Sequence, residues 1–519
     1  MKVWLLHADR DSEQEPAQPC DADTLAEDLE LGTLVDAMAD GDPFLAATGR
    51  RILLSSRTDP DELRYRQAAV QDAIAQPTTV ERLYRLASQT LEQRRRIWRS
   101  LLHKPETILP WALDTLEVYL DTFEELAPVL DQADRFRSPA FTQLFDRLTG
   151  ELEQGYLSRV GTISHMLRMR SGVLFSATLG RGHTGSDYLL HQPRDWPARA
   201  RTAASPRRKT YSFSIPDRDE AGERALSAMR DRALSTVAAV VSQVDEHLCL
   251  FFTTLRRELA FYLGTVRLHR RLTALGQPTC FPVVHTVNDR SWSARQLYDP
   301  CLALHQDKAV AGNDLHADHR ALVLVTGANR GGKSTFLRGL GVAQLMTQCG
   351  MFAPAEELEI SICPGIATHY RLGENRSRTR GKLDEELHRL SRIVEHAEPG
   401  ALLLCNESLA ATNEREAALI GSELIAALVE RGIRIVFVTH FFELANKLTH
   451  QHGSGVLCLR AERRADGERT FRMTEGEPSP TSFGQDLYAR FFGGESADPA
   501  WSETGRPGSA VVWNGSGRS

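Results

Sequence analysis

No Cys-x-x-Cys pair occurs in this 519-residue chain. Its eight cysteines stand at 20, 249, 280, 301, 349, 363, 405 and 458. That spacing excludes a zinc ribbon and a thioredoxin motif, and the count is too low for a disulfide scaffold. Free thiols in a reducing compartment are expected. No run of about 18 uncharged apolar residues is present, so no transmembrane helix is expected. Met1 to Arg10 lack the apolar core of a secretory signal. Neither sign of charge dominates: 62 Lys and Arg against 68 Asp and Glu leave a net −6. A histone-like binder working by bulk charge is thereby excluded, whereas local basic patches are not. With 42% hydrophobic and 25% charged residues, the composition is that of a folded globular chain, neither collagen-like nor disordered. At roughly 100–200 residues per domain, the length suggests about three or four domains.

What is present changes in texture along the chain. The first forty residues are acidic and loosely patterned, and Asp21 to Asp40 suit one short helix with Leu25, Leu29, Leu31 and Leu34 on its apolar side. From Asp61 to about Leu179, Leu, Ile and Ala recur at three- and four-residue spacing, which predicts helices. Pro105, Pro110, Pro128 and Pro139 are read as breaks between them. No heptad register lasts long enough for a long coiled coil. Residues 181–224 are rich in Pro, Gly and Arg and read as irregular, with one strand over Tyr211, Phe213 and Ile215. Helical periodicity returns from Glu220 to Leu275. After Pro278, short β-rich runs alternate with helices, at Ala321–Thr326, Glu359–Ile362, Ala401–Cys405, Ile433–Thr439 and Gly455–Leu459. The alternation predicts an α/β unit with a largely parallel sheet. Residues 495–519 are Gly- and Ser-rich and read as a flexible tail.

The most specific motif is Gly327-Ala328-Asn329-Arg330-Gly331-Gly332-Lys333-Ser334, a full match to G-x-x-x-x-G-K-[ST]. An apolar strand precedes it and a helix-forming run from Thr335 follows. The glycines let backbone amides turn inward around phosphate oxygens, and the helix N-terminus adds partial positive charge. Lys333 is placed to reach the β- and γ-phosphates, and Ser334 to ligate Mg²⁺. These residues, Gly327 to Ser334 with Thr335, are the expected ATP site. A second apolar strand, Ala401–Cys405, ends in Asn406-Glu407. P-loop ATPases normally have Asp then Glu here, the first ordering the Mg²⁺ shell and the second polarising water. Glu407 is the expected catalytic carboxylate. Asn406 offers an amide oxygen to the metal without its charge, which predicts slow hydrolysis. A third strand ends in His440, placed to hydrogen-bond the γ-phosphate or the attacking water.

These motifs together resemble the MutS family of DNA mismatch-repair ATPases. Thr326 to Ser334 match the family's T-G-x-N-x-x-G-K-S, and Thr439-His440-Phe441-Phe442-Glu443-Leu444 match its T-H-[YF]-x-E-L. Gly350 to Ala355 resemble the segment after the P-loop helix. Pro480, Ser482, Phe483 and Gly484 resemble the S-Y-G element ahead of dimer-forming helices. Asp59-Pro60 and Leu63 to Val70 resemble the start of the helical core. The resemblance implies an ABC-type P-loop ATPase domain at 280–494 with dimerising C-terminal helices. It implies a mainly helical core and lever domain at 45–275, with a basic insert at 181–224, an N-terminal segment at 1–44 and a tail at 495–519. Leu248–Leu272 would be the lever returning to the ATPase. Ser377, Thr379 and Gly381 would lie over the nucleotide, with Glu386 as the carboxylate that follows. Asn406 departs from the family's Asp. Leu409 to Glu414 depart from its G-R-G-T-S-T, with Thr412 and Asn413 as substitutes. No mismatch-reading domain is recognised, so a shortened family form is expected.

Two basic clusters bear on DNA. Arg94, Arg95, Arg96 and Arg99 on a helix are read as a solvated or salt-bridged face. Arg207, Arg208 and Lys209, beside Tyr211 and Phe213, are read as DNA contacts. The leading reading is a homodimeric ATPase using ATP and Mg²⁺, bound to double-stranded or structured DNA. It would act in mismatch repair or a related repair or recombination process, in the cytoplasm at the nucleoid and away from membranes. The alternative is a slow or non-hydrolysing, nucleotide-gated protein-interaction module. A transporter or SMC-like ATPase is disfavoured by the missing membrane spans and coiled coils.

Overall fold

The computed structural model describes residues 1–12, 18–19, 21–97, 104–152, 155–169, 172–181, 185–191, 212, 214–371, 381–464 and 468–479. The first part is helical. Five helices open with proline at their first position: Pro43–Leu53, Pro60–Ala75, Pro77–Arg96, Pro105–Leu130 and Pro139–Glu151. There the missing N–H costs nothing and the fixed φ suits the helix. Asp42, Asp59 and Ser138 cap three of them by accepting from first-turn amides.

Proline as a breaker fails twice. Pro110 and Pro128 lie inside Pro105–Leu130. The buried stripe Leu109, Ala112, Leu113, Leu116, Tyr119, Phe123, Leu126 and Val129 carries the helix through both. Burial of that many apolar side chains outweighs roughly 3 kcal/mol for each lost bond and clash. The helical reading also runs too far. The helices end at Leu167, and Phe175–Leu179 (β1) pairs antiparallel with Gly185–Leu190 (β2). Of the strand expected at 211–215, Ser212, Ser214 and Ile215 form none, while Tyr211 and Phe213 lie outside the described residues. Asp21–Asp40 forms two helices, Ala22–Asp28 and Leu31–Ala39, because Glu30 between them takes a left-handed φ of 52°.

A single helix, Glu220–Ala274, runs 55 residues, about 80 Å at 1.5 Å per residue. Its start lies inside the expected irregular insert, where Asp219 caps it by accepting from Gly222 N at 2.9 Å. Buried Asp245 on this helix takes Arg94 in a fork, Nε at 2.9 Å and Nη2 at 2.6 Å, and accepts from Tyr119 Oη at 3.1 Å. Arg94 is therefore an interhelical clamp, Arg96 pairs with Glu92 one turn back, and Arg99 lies outside the described residues. The N-terminal segment is packed in, with Val3, Leu5 and Leu6 buried. Its amides at Leu5, Leu6 and Ser12 all donate to the Glu258 carboxylate of the long helix, at 2.7, 3.2 and 2.7 Å.

Two sheets follow. The larger has strands β6 (Leu322–Gly327), β8 (Ile366–Tyr370), β9 (Leu402–Asn406), β10 (Arg434–Val438), β11 (Val456–Arg463) and β12 (Arg469–Glu475), in the order β12-β11-β6-β10-β9-β8. All its pairings are parallel except β11 with β12. Side chains alternate between two apolar layers. Val323 and Val325 enter one with Leu402, Leu404, Val436 and Val438. Leu322 and Leu324 enter the other with Leu403, Cys405, Ile435 and Phe437. A strand buried on both faces reads as an unbroken apolar run, which is why these strands are visible in the sequence.

The smaller sheet, β3 (Val283–His285), β7 (Glu357–Ser361), β4 (Trp292–Leu297) and β5 (Asn313–His316), is mixed. The expected strand at Glu359–Ile362 belongs here and not to the parallel sheet. Among the described residues, no helix is long and apolar enough to cross a membrane. The seven described cysteines are all free.

Candidate functional site

The P-loop leaves β6 at its C-terminal end, where Gly327 turns with φ +107°. It enters the helix Lys333–Gln348 through Gly332, whose φ of +91° makes it the left-handed N-cap. A Cβ at Gly332 would meet Phe471 only at an ordinary contact distance of 3.4 Å, so it is the left-handed φ that calls for glycine there. Asn329 to Thr335 line a cavity of about 610 Å³. Gly327 and Ala328 lie beneath it, and their carbonyls each accept from Lys333 Nζ at 3.0 Å. Lys333 is only 5% exposed. Burial lowers its pKa, which Glu407 opposes and Arg469 reinforces. The loop thus sets an ammonium at the root of a helix N-terminus whose first amides have no intrahelical acceptors.

β9 delivers the second group. Ser334 Oγ donates to Asn406 Oδ1 at 2.9 Å, so the two expected metal ligands are neighbours. Glu407 follows and lines the same cavity. Its backbone is left-handed, φ 51°, and its carboxylate lies 3.6 Å from Arg371. His440 stands at the end of β10, between β6 and β9 in the sheet. It is exposed, its ring 4.4 Å from that of Phe441, and it is not among the cavity's lining residues. Glu386 is buried near the backbone of Leu409 and Ala411, just after Glu407. Burial raises its pKa, opposed by the backbone of Ala411 and Leu409 and by Arg371 and Arg389.

Thr412 and Asn413 are engaged in capping. Asn413 accepts from Glu416 N at 3.0 Å, and Thr412 donates to the Glu416 carboxylate. Ser377, Thr379, Arg207, Arg208, Lys209 and the Pro480–Gly484 element lie outside the described residues, while Gly381 precedes the helix Lys382–His396.

The donor set suits Mg²⁺ in kind, since Ser334 and Asn406 present hard oxygens. Both are neutral, and Glu407 is the carboxylate that follows them in the chain at the same cavity. No cluster of three or more His, Cys, Asp or Glu able to hold a metal by itself occurs among the described residues.

Several walls of the cavity escape sequence reading. Val310, Asn313 and Phe471 line it from distant parts of the chain. Phe471 is 52% exposed with φ +60°. Asn313 holds that strand, donating to Phe471 O at 3.4 Å and accepting from Met473 N at 2.7 Å. Asp299 forms another wall. It caps the helix Pro300–Gln306 and accepts from Arg338 of the P-loop helix at 2.6 Å. The Asp299-Pro300 pair is a legible helix start, but nothing local to it points to a nucleotide.

Two family models match the chain. The MutS2 N-terminal domain matches residues 58–275, and MutS domain V matches residues 323–488. The DNA mismatch repair protein MutS of Thermus thermophilus is 36% identical over 136 residues, 26% of this chain and 17% of that protein. That of Thermus aquaticus is 30% identical over 181 residues, 34% of this chain and 22% of that protein. That of Nitratidesulfovibrio vulgaris is 25% identical over 445 residues, 80% of this chain and 46% of the relative. The chain therefore spans less than half the length of these relatives.

Proposed function

Since the chain belongs to the MutS family, we propose that it is an ATPase in which nucleotide state governs contact with DNA, in mismatch repair or a related repair or recombination process. The observation that carries this reading is the meeting of Lys333, the Ser334–Asn406 pair and Glu407 around one cavity at the C-terminal ends of β6 and β9, which flank β10. In this account the amides of Asn329 to Thr335 and the Lys333 ammonium hold the phosphates. Ser334 and Asn406 hold Mg²⁺, which supplies charge neutralisation at the phosphates when bound. Glu407 orients the attacking water and accepts its proton, and His440, exposed at the end of the next strand and outside the cavity lining, would turn inward to reach the γ-phosphate region. The division at 45–275 and 280–494 is part of the proposal. So are a homodimer joined across its nucleotide sites and DNA contact through Arg207, Arg208 and Lys209.

Steady-state ATP hydrolysis tests this. Lys333→Ala is expected to abolish turnover and weaken nucleotide binding. Glu407→Gln is expected to lower turnover by about 10²-fold or more with binding retained. Turnover unchanged in both variants would refute the assignment.

A specific observation supports a second reading. Asn406 leaves the metal pair uncharged, which favours a slow, nucleotide-gated module whose helical part holds a partner protein. A normal rate that Glu407→Gln abolishes would exclude it.

A further inference from the structure

Glu407 does not hold its own position. β9 ends with Asn406 bonded on one side, where Arg371 N donates to Asn406 O at 3.0 Å. On the other side Glu407 N donates to Val438 O at 2.9 Å. The chain then turns sharply, with Glu407 at φ 51° and Leu409 at φ 65°. Left-handed backbone at a residue with a side chain is strained and persists only where its surroundings fix it.

Ser408 lies between the two and is 2% exposed. Its Oγ donates to His369 O at 2.9 Å and lies 2.7 Å from His369 Nδ1. A hydroxyl has one proton. With that proton on the carbonyl, Nδ1 must be the donor to Oγ, and the ring carries its hydrogen on Nδ1. The other ring nitrogen, Nε2, is buried with no hydrogen-bond partner. As a bare lone pair it costs less than an orphaned buried N–H would, which supports the same tautomer.

His369 sits on β8, in register with Cys405 of β9, and is fully buried. A polar ring in this layer adds nothing to the strand ladder, and an apolar ring would fill the layer equally well. Its one side-chain hydrogen bond goes to the residue after Glu407. The helix Lys382–His396 places buried Glu386 near the backbone of Leu409 and Ala411. The hydrogen bonds that fix the turn come from the strands, through His369 and Val438.

We propose that His369 and Ser408 are positioning residues that fix the Glu407 turn, so that its carboxylate is presented to the nucleotide cavity. This rests on the ATPase reading above. Their loss lets Glu407 relax toward ordinary backbone angles and withdraw its carboxylate, while Asn329 to Thr335 still hold the nucleotide.

The test is ATP turnover and equilibrium binding of a fluorescent ATP analogue in the full-length chain, for Ser408→Ala, His369→Phe, the double variant, Ser408→Thr and Glu407→Gln. His369→Phe keeps the ring volume and carries the test if Ser408→Ala fails to fold. Each single variant is expected to lower kcat about tenfold to a hundredfold, the scale of a small misplacement of a reacting group, with analogue affinity within about twofold. The double variant should be no worse than the weaker single one, because both remove the same bond. Ser408→Thr should restore most of the rate. If Glu407→Gln abolishes turnover while His369→Phe and Ser408→Ala keep kcat within twofold, the positioning proposal is overturned and the ATPase reading survives. If Glu407→Gln leaves turnover unchanged, both fall together.

Discussion

Asn406 is the residue at which the chemistry of this site turns. Its amide oxygen accepts from Ser334 Oγ in the place where a carboxylate would draw a divalent cation by charge. At 4 Å a full charge is worth about 4 kcal/mol near a protein surface, so its absence should show in metal dependence. We expect Asn406→Asp to lower the Mg²⁺ concentration for half-maximal turnover severalfold and to raise kcat. A Mg²⁺ titration that does not move would mean the metal is held elsewhere. His369 gives a second residue-scale prediction. Burial, reinforced by Arg389, lowers its pKa from 6.5 to about 4. The unfolded chain therefore takes up a proton there that the folded one refuses. The stability this provides is full above about pH 6.5 and is lost as pH falls toward 4, on the order of 3 kcal/mol in all. Denaturant unfolding from pH 4 to 7 should show a shallower slope in His369→Phe than in the parent, and parallel slopes would contradict the buried neutral ring.

Among the elements, the long helix and the segment beneath it carry the helical part. Glu258 is almost fully buried and accepts three backbone amides of the N-terminal segment. Glu258→Ala leaves those donors unpaired. The expected loss is about 2–5 kcal/mol in unfolding free energy, with faster hydrogen exchange at Leu5 and Leu6. A loss under 1 kcal/mol would mean that water replaces the carboxylate. Elements differ in how far the sequence discloses them. β6, β9 and β10 are legible because strands buried on both faces are continuous apolar runs. The P-loop is legible because its glycines answer to local geometry. Pro110 and Pro128 mislead because tertiary burial of one helix face outweighs a local penalty. Of the smaller sheet only the Glu359–Ile362 run shows in the sequence, because the other strands are short or half polar, as in Asn313–His316. Phe471 and Asn313, 158 residues apart, meet at the cavity only through the fold, and no local pattern encodes that meeting.

Taken whole, the molecule joins its two parts through polar contacts as well as buried apolar ones. Arg338 on the P-loop helix pairs with Glu30, and Met38 of the neighbouring helix packs against Gly264 of the long helix. The route from phosphate to helix is thus short and packed. The central claim is that nucleotide turnover and DNA contact are coupled in this chain. The measurement that tests it most directly is ATP turnover of the purified protein with no DNA and with homoduplex, mismatched and branched DNA, beside Lys333→Ala. A rate that changes severalfold with at least one DNA form, and that vanishes in Lys333→Ala, is the predicted result. A rate indifferent to every DNA, or one that persists in Lys333→Ala, would contradict the account.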